Sequence, residues 1–181
     1  MKISIITVTF NNASVLDDCI KSVLNQTHNS IEHIVIDGGS KDDTLNMLKK
    51  YKNHLTKFIS EPDQGIYHAM NKGINLANGD VIGFLNSDDF YAQNKVLSKV
   101  CEIFKLNPEL DACYSDLIYV DKLTASKTIR YFKSSKFIPG SFSKGWCPPH
   151  PTFFVRSSLF KKYGNFDISF NIASDVDLMM R

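Results

Sequence analysis

The sequence predicts an α/β fold with a mostly parallel sheet, flanked by helices, and a short antiparallel addition in its second half. Three observations support this class. Strand-like and helix-like segments alternate through residues 1–110, which is the pattern of βαβ units. The segment Ile3–Val8 is rich in β-branched residues, as strands buried on both faces are. From residue 111 the alternation gives way to longer strand-like segments, which predict the antiparallel addition.

The elements of the first half follow in order from the first strand, Ile3–Val8. Apolar residues at helical spacing predict a helix over Val15–Leu24, and a second strand follows at Ile31–Ile36. Ser40-x-x-Asp43 resembles a capping box, which predicts a helix through about Tyr51. The other elements predicted in this half are a strand at Phe58–Ile59, a helix at Gly65–Ala77, a strand at Val81–Leu85 and a helix at Gln93–Leu106.

The second half begins at residue 111 and belongs to the same single domain. Two long strands are predicted, at Ala112–Val120 and Thr128–Phe132, followed by a loop over residues 134–151 that is rich in Ser, Gly and Pro. The remaining predicted elements are a strand at Thr152–Val155, a helix at Ser157–Tyr163 and a helix from Ser174 onward. The sequence stops inside this last helix, so we expect the natural protein to continue beyond Arg181.

Composition narrows the class of protein. With 181 residues and 43% hydrophobic residues, the chain can bury a core, which excludes collagen-like, coiled-coil and wholly disordered chains. No apolar stretch is long enough to span a bilayer. The four cysteines are scattered without C-x-x-C spacing, which argues against a zinc site and a disulfide framework and predicts a reduced, cytoplasmic protein.

The net charge of +2 conceals an uneven distribution of charge. Residues 1–121 hold 11 basic and 16 acidic residues, whereas residues 122–166 hold nine basic residues and no acidic residue. A basic segment of this kind is either an ordinary solvated surface or a surface that contacts an anionic membrane. The sequence leaves both alternatives open.

Polar side chains follow each of the first four predicted strands. In an open parallel sheet ligands bind where the strands end, so these groups are expected at one rim. Each could instead be a turn residue or a helix N-cap. Neither G-x-G-x-x-G nor a P-loop is present, which argues against dinucleotide oxidoreductases and P-loop NTPases. The rim residues are Thr7, Thr9, Phe10, Asn11 and Asn12; Asp37 to Ser40; Glu61 to Gly65; and Asn86, Ser87, Asp88 and Asp89.

An ordered set of motifs resembles the family 2 glycosyltransferases of the GT-A fold. The set begins with Ile-Ile-Thr-Val-Thr-Phe-Asn, Val-Leu-Asn-Gln-Thr and Ile-Asp-Gly-Gly-Ser-x-Asp-x-Thr. It continues with Glu-Pro-Asp-Gln-Gly-Ile-Tyr-x-Ala-Met-Asn-Lys-Gly-Ile, Ala-x-Gly-Asp-Val-Ile-Gly and Phe-Leu-Asn-Ser-Asp-Asp. The later segments His-Pro-Thr-Phe-Phe, Phe-x-x-Tyr-Gly-x-Phe-Asp and Ala-Ser-Asp-x-Asp-Leu resemble acceptor-side segments of the family. The resemblance covers essentially the whole chain.

The resemblance implies an inverting enzyme of hexosyltransferase type that uses a nucleotide-diphosphate sugar, most often a UDP-sugar, and a divalent cation, Mn²⁺ or Mg²⁺. It implies that residues 1–110 bind the donor and residues 111–181 form the acceptor side. Asn86-Ser87-Asp88 occupies the place of the family's DXD motif. The roles implied are donor binding for Thr7, Phe10, Asn11, Asp37, Asp63, Asn86, Ser87 and Asp88, metal binding for Asp88 and Asp89, and general base for Asp175.

Two positions depart from the family pattern. Many relatives carry Asp-Asp-Gly-Ser where this chain has Asp37-Gly38-Gly39-Ser40, so the second carboxylate is missing. The DXD-like motif begins with the neutral Asn86, a loss for which Asp89 is expected to compensate.

Three residues of the second half keep two interpretations each. Asp175 is the base under the resemblance, but from its position alone it is a helix N-cap. His150 contacts either the acceptor or diphosphate, or the backbone. Trp146 either stacks on a sugar or packs its own loop. His150 and Trp146 are taken as acceptor-side residues.

Other function classes remain as alternatives, chiefly a nucleotidyltransferase of similar fold and a non-catalytic sugar-nucleotide-binding module. A phosphoacceptor signalling domain also places carboxylates at strand ends, but this chain is long for it.

The expected partners are a nucleotide-sugar donor and a glycan or lipid-linked acceptor, with no nucleic acid. The resemblance points to bacterial surface polysaccharide or lipopolysaccharide synthesis, at the inner face of the cell membrane, with residues 122–162 contacting anionic lipid.

Overall fold

The computed structural model describes residues 1–121, 124 and 127–181. The eight strands found in this part of the chain are β1 (Ile3–Thr9), β2 (Ile31–Asp37), β3 (Lys57–Ser60), β4 (Val81–Phe84), β5 (Ala112–Cys113), β6 (Leu117–Val120), β7 (Thr128–Phe132) and β8 (Phe154–Arg156). The α-helices of the same part are α1 (Ala13–Leu24), α2 (Thr44–Lys50), α3 (Ile66–Leu76), α4 (Val96–Leu106), α5 (Ser157–Tyr163) and α6 (Ser174–Met180). Short 3-10 turns lie at Phe142–Lys144 and His150–Thr152.

The main sheet has six strands in the order β3-β2-β1-β4-β8-β5. Strands β1 to β4 are parallel to one another, whereas β8 runs antiparallel to both β4 and β5. This arrangement confirms the predicted α/β class with a mostly parallel sheet. The chain passes from β1 to β2 on one side and returns to β4 on the other, so the strand order reverses beside β1. A crevice forms at such a switch point, beyond the carboxyl ends of the strands.

Strand β1 is buried along its whole length, as its composition predicts. Ile3 and Ile5 pack on one face of the sheet, in a cluster with Leu97 of α4. Ile6 and Val8 pack on the opposite face, in the cluster that contains Met70 of α3. The sheet therefore has helices on both faces, and α3 lies against the strands that end at the crevice.

The predicted capping box at Ser40 is wrong. Helix α2 begins at Thr44, and the Ser40 hydroxyl instead hydrogen-bonds the Asp37 carboxylate at the end of β2. The Asp42 carboxylate accepts the Thr44 amide at 3.0 Å. Ser40 thus stabilises the turn after β2, and Asp42 rather than Ser40 accepts a hydrogen bond from the first residue of α2.

Helix α4 begins at Val96, three residues after the predicted start at Gln93. The carbonyls of Gln93 and Asn94 are engaged elsewhere: they accept the Gln26 side-chain amide at 2.8 Å and the Thr27 backbone amide at 2.8 Å. Residues that follow α1 therefore hold this segment outside the helix.

The single strand predicted at Ala112–Val120 is also wrong, because the structure divides it. Strand β5 joins the main sheet, whereas β6 pairs with β7 in a separate antiparallel hairpin. Between them, the Ser115 backbone exchanges hydrogen bonds with the Thr152 hydroxyl at 3.2 and 3.0 Å. The Asp116 carboxylate accepts the Ser134 amide at 2.8 Å. These bonds to side chains replace ladder bonds and interrupt the strand.

Within residues 1–121, 124 and 127–181, no helix has both the length and the apolar character that crossing a bilayer would require.

Candidate active site

A cleft with a volume of about 620 Å³ opens where β1, β2 and β4 end, at the switch point of the sheet. Five residues predicted for the donor site line it together: Phe10, Asp63, Asn86, Ser87 and Asp88. The other lining residues are Val8, Thr9, Asn12, Gly38, Gly65, Ile66 and Ala69.

Thr7, Asn11 and Asp37, also predicted for the donor site, are not among the lining residues. Thr7 and Asp37 are fully buried. Thr7 lies two residues before the end of β1, roughly 7 Å below the rim at the usual rise of a strand, and its hydroxyl contacts His33 Nε2 at 3.0 Å. Burial lowers the pKa of His33 to about 4, so this imidazole is neutral.

Asp37 and Asn11 shape the loops around the cleft. The Asp37 carboxylate accepts the Ser40 amide at 3.1 Å, and also the hydroxyls of Ser40 and Ser60, the latter at 2.6 Å. The Asn11 side chain accepts the Lys41 amide at 2.8 Å, with Asn11 itself at a left-handed φ of 50°. These bonds connect the segments at the ends of β1, β2 and β3. Asp37 and Asn11 therefore stabilise the loops around the cleft without lining it.

Asp63 lies beside Gly38. A Cβ atom at residue 38 would stand 2.6 Å from Asp63 Oδ2 and 3.4 Å from the Phe10 ring. The other Asp63 oxygen accepts the Gly65 amide at 2.9 Å, which fixes the carboxylate in this place. The absence of a side chain at Gly38 therefore admits a carboxylate from the loop before α3.

The loop after β4 carries the DXD-like motif. Asn12 donates to the Ser87 hydroxyl at 2.7 Å, and the Cys19 thiol contacts the Asn86 carbonyl at 3.4 Å. Asn86 in turn donates to Asp89 at 3.2 Å. Asp88 is exposed and lines the cleft, whereas Asp89 is half-buried and is absent from the lining. Burial, and then the nearby Asp88 charge, raise the pKa of Asp89 to about 6.

The donor set of this loop fits a hard divalent cation. Among the side-chain atoms of the described residues, two buried oxygens at the cleft, Thr9 Oγ1 and Asn86 Oδ1, lack a hydrogen-bond partner. Both belong to lining residues, as does Asp88. The described part of the chain contains no group of three or more His, Cys, Asp or Glu side chains suited to a metal. Mg²⁺ commonly takes one or two protein carboxylates and completes its shell with substrate phosphates and water, which this set allows.

Asp175 lies in the first turn of α6 and is held by a residue of α3. The Tyr67 hydroxyl donates to Asp175 Oδ1 at 2.9 Å. Burial and the Asp175 carboxylate both raise the pKa of Tyr67, so the phenol stays protonated and acts as the donor. Ala173, just before α6, has a left-handed φ of 66°. Such a conformation is costly for a residue with a Cβ, so it persists only where the surroundings hold it.

His150 stacks on Phe84 of β4 with ring centroids 5.4 Å apart, and its ring meets Phe166 edge-on at 5.9 Å. Burial lowers the pKa of His150, although the nearby Asp175 charge opposes this shift. Burial thus favours the neutral imidazole, and the charge of the candidate base acts on this ring.

Trp146 belongs to an aromatic cluster of the loop before His150. Its ring contacts Tyr114, Phe137 and Phe142 at centroid distances of 5.5 to 5.7 Å. The indole N–H donates to the Ser135 hydroxyl at 2.7 Å. These contacts favour the loop-packing interpretation of Trp146.

Sequence reasoning assigned no role to Tyr67, and placed Thr9 and Asn12 at the rim without choosing them as donor-site residues. Thr9 is the last residue of β1, and its position rather than its type distinguishes it from Thr7. Tyr67 directly follows Ile66, which lines the cleft, but its bond partner lies 108 residues later in the chain. No local pattern could have revealed that contact.

The family profile described as "Glycosyl transferase family 2" matches residues 4–164. The chain therefore belongs to glycosyl transferase family 2.

The chain is similar over nearly its whole length to curated proteins of mycobacteria. An uncharacterized glycosyltransferase of Mycobacterium tuberculosis is 35% identical over 183 residues, which cover 99% of this chain and 68% of that protein. A PGL/p-HBAD biosynthesis glycosyltransferase of Mycobacterium bovis is 31% identical over 181 residues, covering 98% of this chain and 68% of that protein.

Solved structures share the fold. The crystal structure of Staphylococcus aureus TarS 1-349 in complex with UDP-GlcNAc has a TM-score of 0.70 at 22% identity, covering 99% of this chain and 52% of that one. Mannosyltransferase PcManGT from Pyrobaculum calidifontis, in complex with GDP-Man and Mn²⁺, has a TM-score of 0.74 at 16% identity, with coverage of 99% and 52%. This chain spans about half of each of these structures and 33% of the longer TarS chain. The likeness supports the GT-A fold expected from the motifs.

Proposed function

We propose that this protein is an inverting glycosyltransferase that moves a hexose from a UDP-sugar to a hydroxyl group of an acceptor. The observation that carries the proposal is the cleft at the switch point of the sheet, where Asp63 and the exposed Asp88 line one cavity. Family membership supports the reaction class. The UDP-GlcNAc complex of TarS supports a nucleotide-sugar ligand in this fold.

The nucleoside end of the donor binds between Phe10 and Asp63 in this proposal. Phe10 is 60% exposed at the cleft and offers an aromatic face to a base. The Asp63 carboxylate, beside Gly38, can accept a hydrogen bond from an N–H of the base or from an O–H of the ribose.

The diphosphate lies toward Asp88. A divalent cation bound by Asp88, with the oxygens of Asn86 and Thr9 nearby, would offset negative charge on the leaving diphosphate. Asp89 serves this loop indirectly, since it accepts a hydrogen bond from Asn86 and does not line the cleft.

Asp175 is the proposed general base. In an inverting transfer the acceptor oxygen approaches the anomeric carbon opposite the diphosphate. It loses its proton to the base as the new glycosidic bond forms, while the bond from the anomeric carbon to the diphosphate breaks and UDP leaves. The Tyr67 hydroxyl engages Asp175 Oδ1, which leaves Oδ2 to take that proton. A general base contributes typically ~100- to 10,000-fold to the rate.

The acceptor proposed is a lipid-linked or other cell-envelope glycan presented at the inner face of the membrane. Five basic residues of the second half are exposed near the hairpin and the loop that follows it: Lys127, Arg130, Lys133, Lys136 and Lys144. Exposed Ile129 and Ile138, at 64% and 65%, are interspersed with them. Arg156 does not belong to this surface, because it donates to the Leu110 carbonyl at 2.7 Å. Lys122, where the predicted basic stretch begins, lies outside the described residues.

The test combines binding and turnover in the purified 181-residue chain. We expect UDP with Mn²⁺ to raise the melting temperature more than GDP with Mn²⁺, because ligands of the native state stabilise it by mass action. Asp88→Asn removes the Mn²⁺-dependent part of this shift. Asp175→Asn keeps the shift but lowers UDP release from a panel of UDP-hexoses by roughly 100-fold or more.

Each alternative predicts a different result in the same assay. UDP binding without UDP release by the unaltered chain would indicate a non-catalytic binding module. Pyrophosphate release from UTP and a sugar phosphate would indicate a nucleotidyltransferase. Full turnover by Asp175→Asn would refute the assignment of the base, and equal shifts by GDP and UDP would refute the uridine preference.

A further inference from the structure

One face of α3 is bonded to the C-terminal part of the chain. Tyr67, Asn71 and Asn75 are spaced four residues apart and therefore project from the same side of the helix. Each of them forms a side-chain hydrogen bond with a residue between 165 and 175. We call this row of three residues the α3 seam.

The middle of the α3 seam is the tightest connection. The Asn71 side chain donates to the Phe166 carbonyl at 2.8 Å and accepts the Phe166 amide at 3.0 Å. Two bonds to the backbone of one residue fix both distance and orientation. The Phe166 ring packs on Tyr67 with centroids 5.4 Å apart and an angle of 30°. Tyr67 is therefore held from the side as well as through its hydroxyl.

The N-terminus of the same helix belongs to the donor cleft. Ile66 and Ala69 line it, and Gly65, immediately before the helix, donates its amide to Asp63. Tyr67 lies between Ile66 and Ala69 in sequence but projects toward Asp175 instead. Two sides of one helical turn thus contact the donor cleft and the candidate base.

We propose that Tyr67 is a positioning residue that orients Asp175 for proton transfer, and that α3 thereby sets the base relative to the bound donor. This inference rests on the proposed function, in which Asp175 is the base. The phenol donates to one carboxylate oxygen only, so it selects which oxygen is presented to the acceptor hydroxyl. The α3 seam keeps this geometry constant, because α3 is packed against β1 and β2 at its other face.

The variant Tyr67→Phe tests the role, since it removes the hydroxyl and keeps the ring against Phe166. The loss of a hydrogen bond to a charged group should lower kcat for UDP release from UDP-hexoses by roughly 10-fold or more. UDP affinity should stay at the level of the unaltered chain, and the melting temperature should fall by only a few degrees, the scale of one lost hydrogen bond. This separation is informative because a general displacement of α3 would also disturb Ile66 and Ala69, and would therefore weaken UDP binding.

The matched control is Tyr163→Phe, which removes the same atom from an exposed tyrosine at the end of α5 and should leave kcat unchanged. Unchanged kcat in Tyr67→Phe, or a parallel fall in kcat and UDP affinity, would overturn the positioning role. Full turnover by Asp175→Asn would instead remove the base and this inference with it. An inactive Asp175→Asn beside a fully active Tyr67→Phe would remove the positioning role alone.

Discussion

At the scale of single residues, Gly38 leaves room for the carboxylate of Asp63. The Asp63 carboxylate approaches Gly38 from the loop before α3. Any Cβ at residue 38 would meet the Asp63 carboxylate at 2.6 Å. Gly38 is therefore needed for its lack of volume, since its φ does not lie in the left-handed region that favours glycine.

The variant Gly38→Ala should displace Asp63 and weaken UDP binding by roughly 10-fold, the usual scale for a lost bond to a charged group. Titration calorimetry with UDP and Mn²⁺ measures this effect, and the melting temperature without ligand should change little. Asp63→Ala is the companion variant. If Asp63 is the reason for the effect, adding Gly38→Ala to Asp63→Ala should cost no further affinity. A further loss in the double variant would mean that Gly38 contacts the nucleotide directly.

Residue type and strand order predicted part of the site. Phe10, Asp63 and Asp88 could be placed at the rim because the carboxyl ends of parallel strands meet there. The family resemblance implied Thr7, but β1 extends to Thr9, and Thr9 rather than Thr7 lines the cleft. Tyr67 could not be found, because its partner Asp175 is distant in sequence and only packing brings them together.

At the scale of elements, α3 connects the two halves of the chain. Its inner face packs on β1 at Gly73, where a Cβ would collide with the buried Ile6 side chain. The absence of a side chain there lets the helix lie close to the sheet. Tyr67, on the same helix, donates to Asp175.

The variant Gly73→Ala should lower the free energy of unfolding, although alanine favours helix more than glycine by ~1 kcal/mol. Overpacking a filled core costs ~1–3 kcal/mol, which exceeds that preference. Urea denaturation measures the difference. Lys99→Ala, at an exposed position of α4, serves as the control and should stay within ~0.5 kcal/mol. A stabilised Gly73→Ala would show that α3 can move away from β1 without cost.

Elements whose pattern is local were predicted well, and those decided by distant contacts were not. The alternation of β1 to α4 follows from periodicity within each segment. The break between β5 and β6 depends on Thr152, 37 residues beyond Ser115. The early start predicted for α4 failed for the same reason, since Gln26 and Thr27 engage the carbonyls of residues 93 and 94.

At the scale of the whole molecule, the division of charge corresponds to a division of surfaces. Of the carboxylates in residues 1–121, Asp63 and Asp88 line the cleft, and Asp37 bonds the loops beside it. The basic residues of the second half are exposed on the hairpin and the following loop, where aliphatic and aromatic side chains are exposed as well. An isolated two-stranded hairpin is only marginally stable in water, so a surface that covers its apolar residues would favour it.

We expect the chain to bind vesicles of phosphatidylcholine with phosphatidylglycerol at low salt, and to be released at high salt. Each lysine near an anionic surface contributes about 1 kcal/mol, and salt screens this attraction. Reversing two charges with Lys133→Glu and Lys136→Glu should lower co-sedimentation by roughly tenfold or more.

The matched control, Lys49→Glu with Lys50→Glu, makes the same change of net charge on exposed residues of α2. Because net charge alone would affect both pairs equally, an equal loss in the control would contradict a specific contact. Equal binding to vesicles of pure phosphatidylcholine would show that the contact does not depend on anionic lipid. The basic residues would then be an ordinary solvated surface.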